Sequence, residues 1–214
     1  MTNIVYRGSC EGLQEQAFLN HVSKLINNDP RCKNKVYFDL INVGGGDPLE
    51  VVKKAVNYNF IGKKEFIKNK RVIALFDYDF KDSKFLAALK LASDNKIIPF
   101  YTITNFDLLL INLKEKYTKQ VSKSEEYIKK VRKVYHLDSE ANIKNQTVID
   151  KILKQITLDD IIFLIKNAKI IEKDNLNSKN YYSAKENILN QPNLLPYMIL
   201  EEVLYKAGLI ERNN

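Results

Sequence analysis

The stretch Arg71–Asp79 reads RVIALFDYD, and its two halves set how the rest of the chain is read. RVIALF is a short, nearly unbroken apolar run, the pattern of a strand covered on both faces. It ends on two carboxylates, Asp77 and Asp79, with Tyr78 between them. A strand buried on both faces implies a parallel sheet with helices on either side. In such a sheet, ligands bind beyond the carboxyl ends of the strands, where these two acids fall.

Working upstream, KVYFDLINV (Lys35–Val43) reads as another strand and leads into GGGDPLEVVKKAV. There a helix start can be read residue by residue: Asp47 as N-cap, Pro48 at the first helical position, Glu50 three residues after the cap. Asn3–Ser9 predicts a first strand. Leu13–Ile26 predicts a helix with Phe18, Val22, Leu25 and Ile26 inward, ended by the turn-rich NNDPRCKNK. Downstream, Ser83–Asp94 predicts a helix with Phe85, Leu86, Leu89 and Ala92 inward, Ile97–Ile103 a strand and Phe106–Leu113 a helix. Strand and helix alternate four times, which predicts an α/β fold with a parallel sheet and right-handed crossovers. After Lys114 the pattern turns helical: Tyr117–His136, Asn145–Asn167 and Met198–Ala207, with the polar EKDNLNSKNYYS between the last two. The expected organisation is an α/β domain over 1–113 and a mostly helical subdomain over 114–214, without internal repeats.

Composition narrows the classes. Of 214 residues 45% are hydrophobic, enough for a real core. The formal net charge of +8 moves nucleic acid up the list of partners, although on charge alone Lys-rich solvated helix faces are the favoured reading. Two cysteines, Cys10 and Cys32, supply neither a disulfide framework nor zinc spacing and read as reduced thiols. MTNIVYRGSC lacks a signal-peptide core, and no apolar run reaches membrane-spanning length. A soluble cytoplasmic protein is expected, with no membrane partner.

The acids repay a closer look. Glu11 follows the first strand and runs on to Glu15; GGGD (44–47) follows the second; Asp77 and Asp79 follow the third; Asp107 follows the fourth. Carboxylates crowded at one sheet edge repel one another unless a cation intervenes. Oxygen donors with no His or Cys among them suit Mg²⁺ or Mn²⁺ rather than zinc. Each feature also has a plain reading. An Asp after a strand is often a turn or cap residue, and Asp47 and Glu50 are explained as capping residues. Three glycines before a helix could cradle a phosphate or simply make a tight turn. His21 and His136 read as structural or solvated.

Taken jointly, the Glu-Gly after the first strand and the Asp-x-Asp after a later one resemble the Toprim signature shared by topoisomerases, primases and OLD-type nucleases. More narrowly, CEGLQEQAFL, NVGGGDPLEVVKKAV, VIALFDYDFKDSKFLAALKLA and TNFDLLLINL resemble, in order, the RloB (AbiLii-like) abortive-infection family. DDIIFLIKNAKIIEKDN resembles a later helix of that family. The chain departs from it in several places: Glu15 and Gln16 stand where the family writes Thr-Glu, Asn105 directly precedes Phe106, Asp107 replaces a Glu, Leu109 a Trp, and Gln191-Pro192-Asn193 is a faint counterpart of its last motif. The resemblance implies a Mg²⁺- or Mn²⁺-dependent nuclease of phage defence, cutting DNA or RNA (tRNA included), with a companion ATPase. Glu11, Asp77, Asp79 and Asp107 would be catalytic, and Glu11, Glu15, Asp77 and Asp79 would hold metal. Glu11 would bind metal or act as general base; Lys81 and Lys84 would offset phosphate charge. A non-catalytic binding subunit of a defence complex, and nucleotidyl transfer of the primase kind, are the competing readings.

Overall fold

A computed structural model describes residues 2–61, 70–78, 82–102, 105–117, 124–177 and 196–211. The protein is α/β, with an all-parallel sheet of β1 (Asn3–Cys10), β2 (Lys35–Asn42), β3 (Lys70–Asp77) and β4 (Ile98–Thr102) in the order β2-β1-β3-β4. The helices are α1 (Leu13–Asn28), α2 (Pro48–Ile61), α3 (Asp82–Asp94), α4 (Asp107–Lys114), α5 (Ser124–Val134), α6 (Gln146–Leu153), α7 (Leu158–Asn177) and α8 (Tyr197–Ala207). From β1 the chain steps one way to β2, then crosses back to β3 and on to β4. Right-handed crossovers therefore put α1 on one face and α2 and α3 on the other. The reversal of direction lies between β1 and β3. No described helix is long and apolar enough to cross a membrane.

The chain forms two compact units that interleave along the sequence. One comprises Met1–Phe76, Lys81–Phe100 and Ile199–Asn214; the other comprises Asp77–Phe80 and Tyr101–Met198. In the sheet unit β1 is central, paired in parallel with β2 from Asn3↔Lys35 to Cys10↔Asn42 and with β3 from Val5↔Lys70 to Cys10↔Leu75. Ile73, Ala74, Leu75 and Phe76 are all buried, as the apolar run predicts. The α2 start matches its sequence reading: the Glu50 N–H donates to Asp47 Oδ1 at 3.0 Å and Pro48 opens the helix. One expectation on α3 fails. Its buried face is Phe85, Ala88 and Ala92, whereas Leu86 is 47% exposed. Leu86 lies about 100° round the helix from Phe85, on the side away from Ala88 and Ala92.

The last helix belongs with the first strand. Tyr6 Oη donates to Glu202 Oε1 at 2.6 Å, Arg71 Nη1 meets Oε2 at 2.9 Å, and Lys206 Nζ lies 2.6 Å from Oε1. Burial pushes the Glu202 carboxyl up, but hydrogen bonds from Lys206 and Tyr6 outweigh it and the net shift is down. The Tyr6 hydroxyl is pushed well up, by burial first and by Glu202 second. The signs are opposite. Stability from Glu202 is present above its unfolded value of about 4.3 and is lost as pH falls through the lower folded value. That from Tyr6 is present below about 10 and is lost as pH rises. Urea midpoints against pH are expected to show a plateau between these limits. Glu202→Gln should lower the plateau and make the acid-side fall shallower; an unchanged acid limb would sink the assignment.

In the helical unit, Leu108, Leu109, Leu110, Ile111, Asn112 and Leu113 are all buried, so α4 is its axis. Tyr135 Oη donates to the Leu110 carbonyl at 2.9 Å, and Lys114 Nζ reaches Asp160 at 2.6 Å. Residues 145–167 do not form the single helix their periodicity predicts: α6 stops at Leu153 and α7 starts at Leu158. Thr157 and Asp160 make the break. The Thr157 N–H donates to Asp160 Oδ2 at 2.7 Å and the Asp160 N–H to Thr157 Oγ1 at 3.3 Å, a reciprocal cap that starts a new helix.

Candidate functional site

In the sheet unit, the carboxyl end of β1 is fixed from both sides. The Glu11 N–H donates to the Leu75 carbonyl of β3 at 3.0 Å, and the Glu11 carbonyl accepts from the Gly45 N–H at 2.9 Å. Gly12 then turns the chain into α1 as its N-cap, with no side-chain bond of its own. Glu15, in the first turn, is only 7% exposed. Glu11 is half-buried. Both carboxylates act on the buried Cys10 thiol, which is pushed far above its ordinary range by burial first, then by Glu15, with Glu11 adding to the effect. Cys10 Sγ is directed to the carbonyls of Gly12 (3.4 Å) and Ile41 (3.7 Å). Such a thiol is protonated and inert. Iodoacetamide at pH 8 should label Cys10 at least about a hundredfold more slowly in the folded chain than in urea. Equal rates, read by peptide mass, would refute its burial.

The glycine loop answers one open question. Gly44 and Gly45 sit at φ 79° and 90°, values that glycine adopts freely. The Gly44 N–H donates to Asn42 Oδ1 at 2.7 Å and that of Gly45 to Glu11, so these amides serve the loop itself. The α2 N-terminus carries its own anion, Asp47. Desolvation raises the Asp47 carboxyl, but the Glu50 amide and the Lys84 ammonium at 3.5 Å bring it below its ordinary value. Turn and cap describe this segment. Lys84, predicted to meet phosphate, faces Asp47.

In the helical unit, Asp77 is held at both oxygens. Thr102 Oγ1 donates to Oδ1, and the Phe106 N–H donates to Oδ2 at 3.3 Å. Phe106, at the start of α4, has no capping side chain of its own, so Asp77 supplies the anion that a helix N-terminus favours. The Tyr78 N–H donates to the Thr102 carbonyl at 2.9 Å. Asp107, in the first turn of α4, is 5% exposed. Asp79 and Lys81 lie outside the described residues.

Of the predicted acids, Glu11 and Glu15 belong to the sheet unit and Asp77 and Asp107 to the helical unit. Among the described residues, no three His, Cys, Asp or Glu side chains gather into a metal-holding group. Sequence reasoning missed Thr102, a fully buried hydroxyl that closes β4 and orients Asp77. Its signal was a lone polar residue inside the apolar run of the fourth strand. No protein-family model, curated protein or solved structure matches the chain.

Proposed function

We propose that the chain is a metal-dependent phosphodiesterase acting on DNA or RNA, a Toprim-type nuclease of the RloB-like phage-defence kind that its motifs resemble. One observation carries the reading: β1 and β3 are neighbours where the strand order reverses, Glu11 directly follows β1, and Asp77 is the last residue of β3. Ligands bind at that position in open parallel sheets.

The donor chemistry fits a hard divalent cation. The candidate ligands Glu11, Glu15, Asp77 and Asp79 offer carboxylate oxygens, and the thiol of Cys10, directly before Glu11, is held protonated. Mg²⁺ or Mn²⁺, when bound, would supply positive charge to a phosphodiester and lower the pKa of an attacking water. Asp77 would hold the ion with Asp79; the bonds from Thr102 and Phe106 fix the orientation of its carboxylate. Glu11 would bind metal or take the proton from water, its backbone fixed by Leu75 and Gly45. Asp107 or Glu15 would complete a second metal position. The net charge of +8 favours a sequence-independent grip on phosphate that weakens with salt. On α5, however, Lys129 and Lys130 are matched by Glu125 and Glu115.

The test is incubation of the pure chain with plasmid, single-stranded DNA and tRNA in Mg²⁺ or Mn²⁺, alongside Mn²⁺ titration by calorimetry. Metal binding with cleavage of at least one substrate is expected. A second reading, a non-catalytic nucleic-acid- or partner-binding subunit working with a companion ATPase, is favoured by the commitment of both Asp77 oxygens to internal donors. Failure to bind Mn²⁺ at millimolar concentration would select it.

A further inference from the structure

Among the described residues strand β2 ends the sheet, and a strand in that position presents outward N–H and C=O groups that can pair with another chain. In a parallel strand these groups alternate sides. The Val43 N–H reaches the Cys10 carbonyl of β1 at 3.0 Å, so odd-numbered residues of this segment face β1 and Val36, Phe38 and Leu40 face away. The outward groups of Val36 are met by side chains of α1. Asn27 Oδ1 accepts from the Val36 N–H at 2.8 Å, and Asn27 Nδ2 donates to the Val36 carbonyl at 2.8 Å. A single amide side chain thereby supplies the donor and acceptor that a further strand would offer. Ser23 Oγ donates to the same carbonyl at 2.6 Å, and Gln16 Nε2 to the Leu40 carbonyl at 2.6 Å.

The lengths agree. Gln16, Ser23 and Asn27 stand seven and four residues apart, one stripe of the helix spanning about 16 Å. Val36 to Leu40 spans about 13 Å of strand, run in the opposite direction. The opposite edge has a different safeguard. The Thr102 carbonyl of β4 accepts from Tyr78, so by alternation Pro99 faces away, and proline has no N–H to offer.

We infer that the polar stripe Gln16–Ser23–Asn27 is an edge guard, which closes β2 to strand addition and keeps it from pairing with β2 of a second copy of this chain. Three polar side chains spent on backbone groups, on a helix that otherwise buries Phe18, Leu19, Val22 and Ile26 against the sheet, fit that role.

The test compares the native chain with Gln16→Ala/Ser23→Ala/Asn27→Ala by light scattering across a concentration series and by hydrogen exchange. The variant is expected to exchange the Val36 amide about tenfold faster or more at low concentration. As concentration rises it should gain mass relative to the native chain and recover that protection. Unchanged exchange overturns the inference, and so does faster exchange without any gain in mass. If the triple variant does not fold, Gln16→Ala alone, which uncovers only the Leu40 carbonyl, is read the same way by mass, and native behaviour there overturns the guard.

Discussion

Gly8→Ala is expected to remove a large part of the stability of the sheet unit, with the urea midpoint falling by about 2 M or the chain becoming insoluble. Gly8 lies on the central strand opposite Ile73 of β3. A Cβ at this position would sit 1.8 Å from the Ile73 carbonyl oxygen and 2.8 Å from its carbon. The obstacle is backbone, not the tip of a flexible side chain, so relief means prising β1 from β3. The φ of 153° adds strain for any L side chain. A loss of about 4 kcal/mol or more is reasonable for such a clash. Against a typical total of about 5–15 kcal/mol, that is from about a quarter to most of the stability. Ser9→Ala is the comparison: it removes one buried hydrogen bond, from Ser9 Oγ to the Val51 carbonyl at 2.7 Å, at a cost of about 1–3 kcal/mol. If Gly8→Ala melts no lower than Ser9→Ala, the close approach of the two strands is wrong.

The second large effect concerns chemistry. Asp77→Asn and Glu11→Gln are each expected to cut metal-dependent cleavage by about a thousandfold, equivalent to about 4 kcal/mol of lost transition-state stabilisation. The two differ in stability, and the difference separates roles. Asp77 anchors the start of α4 through Thr102 and Phe106, so its amide variant should lose about 1–3 kcal/mol of stability as well. Glu11 is anchored through its backbone, and its side chain is half-buried, so Glu11→Gln should stay within about 0.5 kcal/mol of native. A Glu11→Gln protein that folds normally and cleaves at the native rate would remove Glu11 from the mechanism. Lost stability with retained cleavage in Asp77→Asn would leave that residue as a helix cap alone.

These contrasts also mark where the sequence was readable. The strand at 71–76, the Asp47-Pro48 helix start and the β-α alternation were legible because each rests on local chemistry: continuous apolarity, a cap, a fixed φ. The Thr157–Asp160 break was hidden because Ile149, Ile152, Leu153, Ile156, Ile161 and Leu164 keep an apolar rhythm across it. The return of α8 to β1 depends on Tyr6 and Glu202 meeting, which no local pattern announces. Of the candidate acids, Glu11 directly follows β1 and Asp77 ends β3, as the alternation of elements implies, whereas Glu15 and Asp107 stand in the first turns of α1 and α4 and Asp79 lies outside the described residues. The sequence did not reveal that Asp77 is engaged by Thr102 and Phe106, because that depends on which strand lies beside β3.

The Tyr6–Glu202 bond spans 196 residues of chain, and this has a bearing on how the protein is made. During synthesis at about 5–20 residues per second, β1 emerges some 10–40 s before the helix that covers its tyrosine. A strand that leaves the ribosome ahead of β2, β3 and β4 is thus finished only after all of them, and through that interval its tyrosine lacks the carboxylate that meets it in the folded chain.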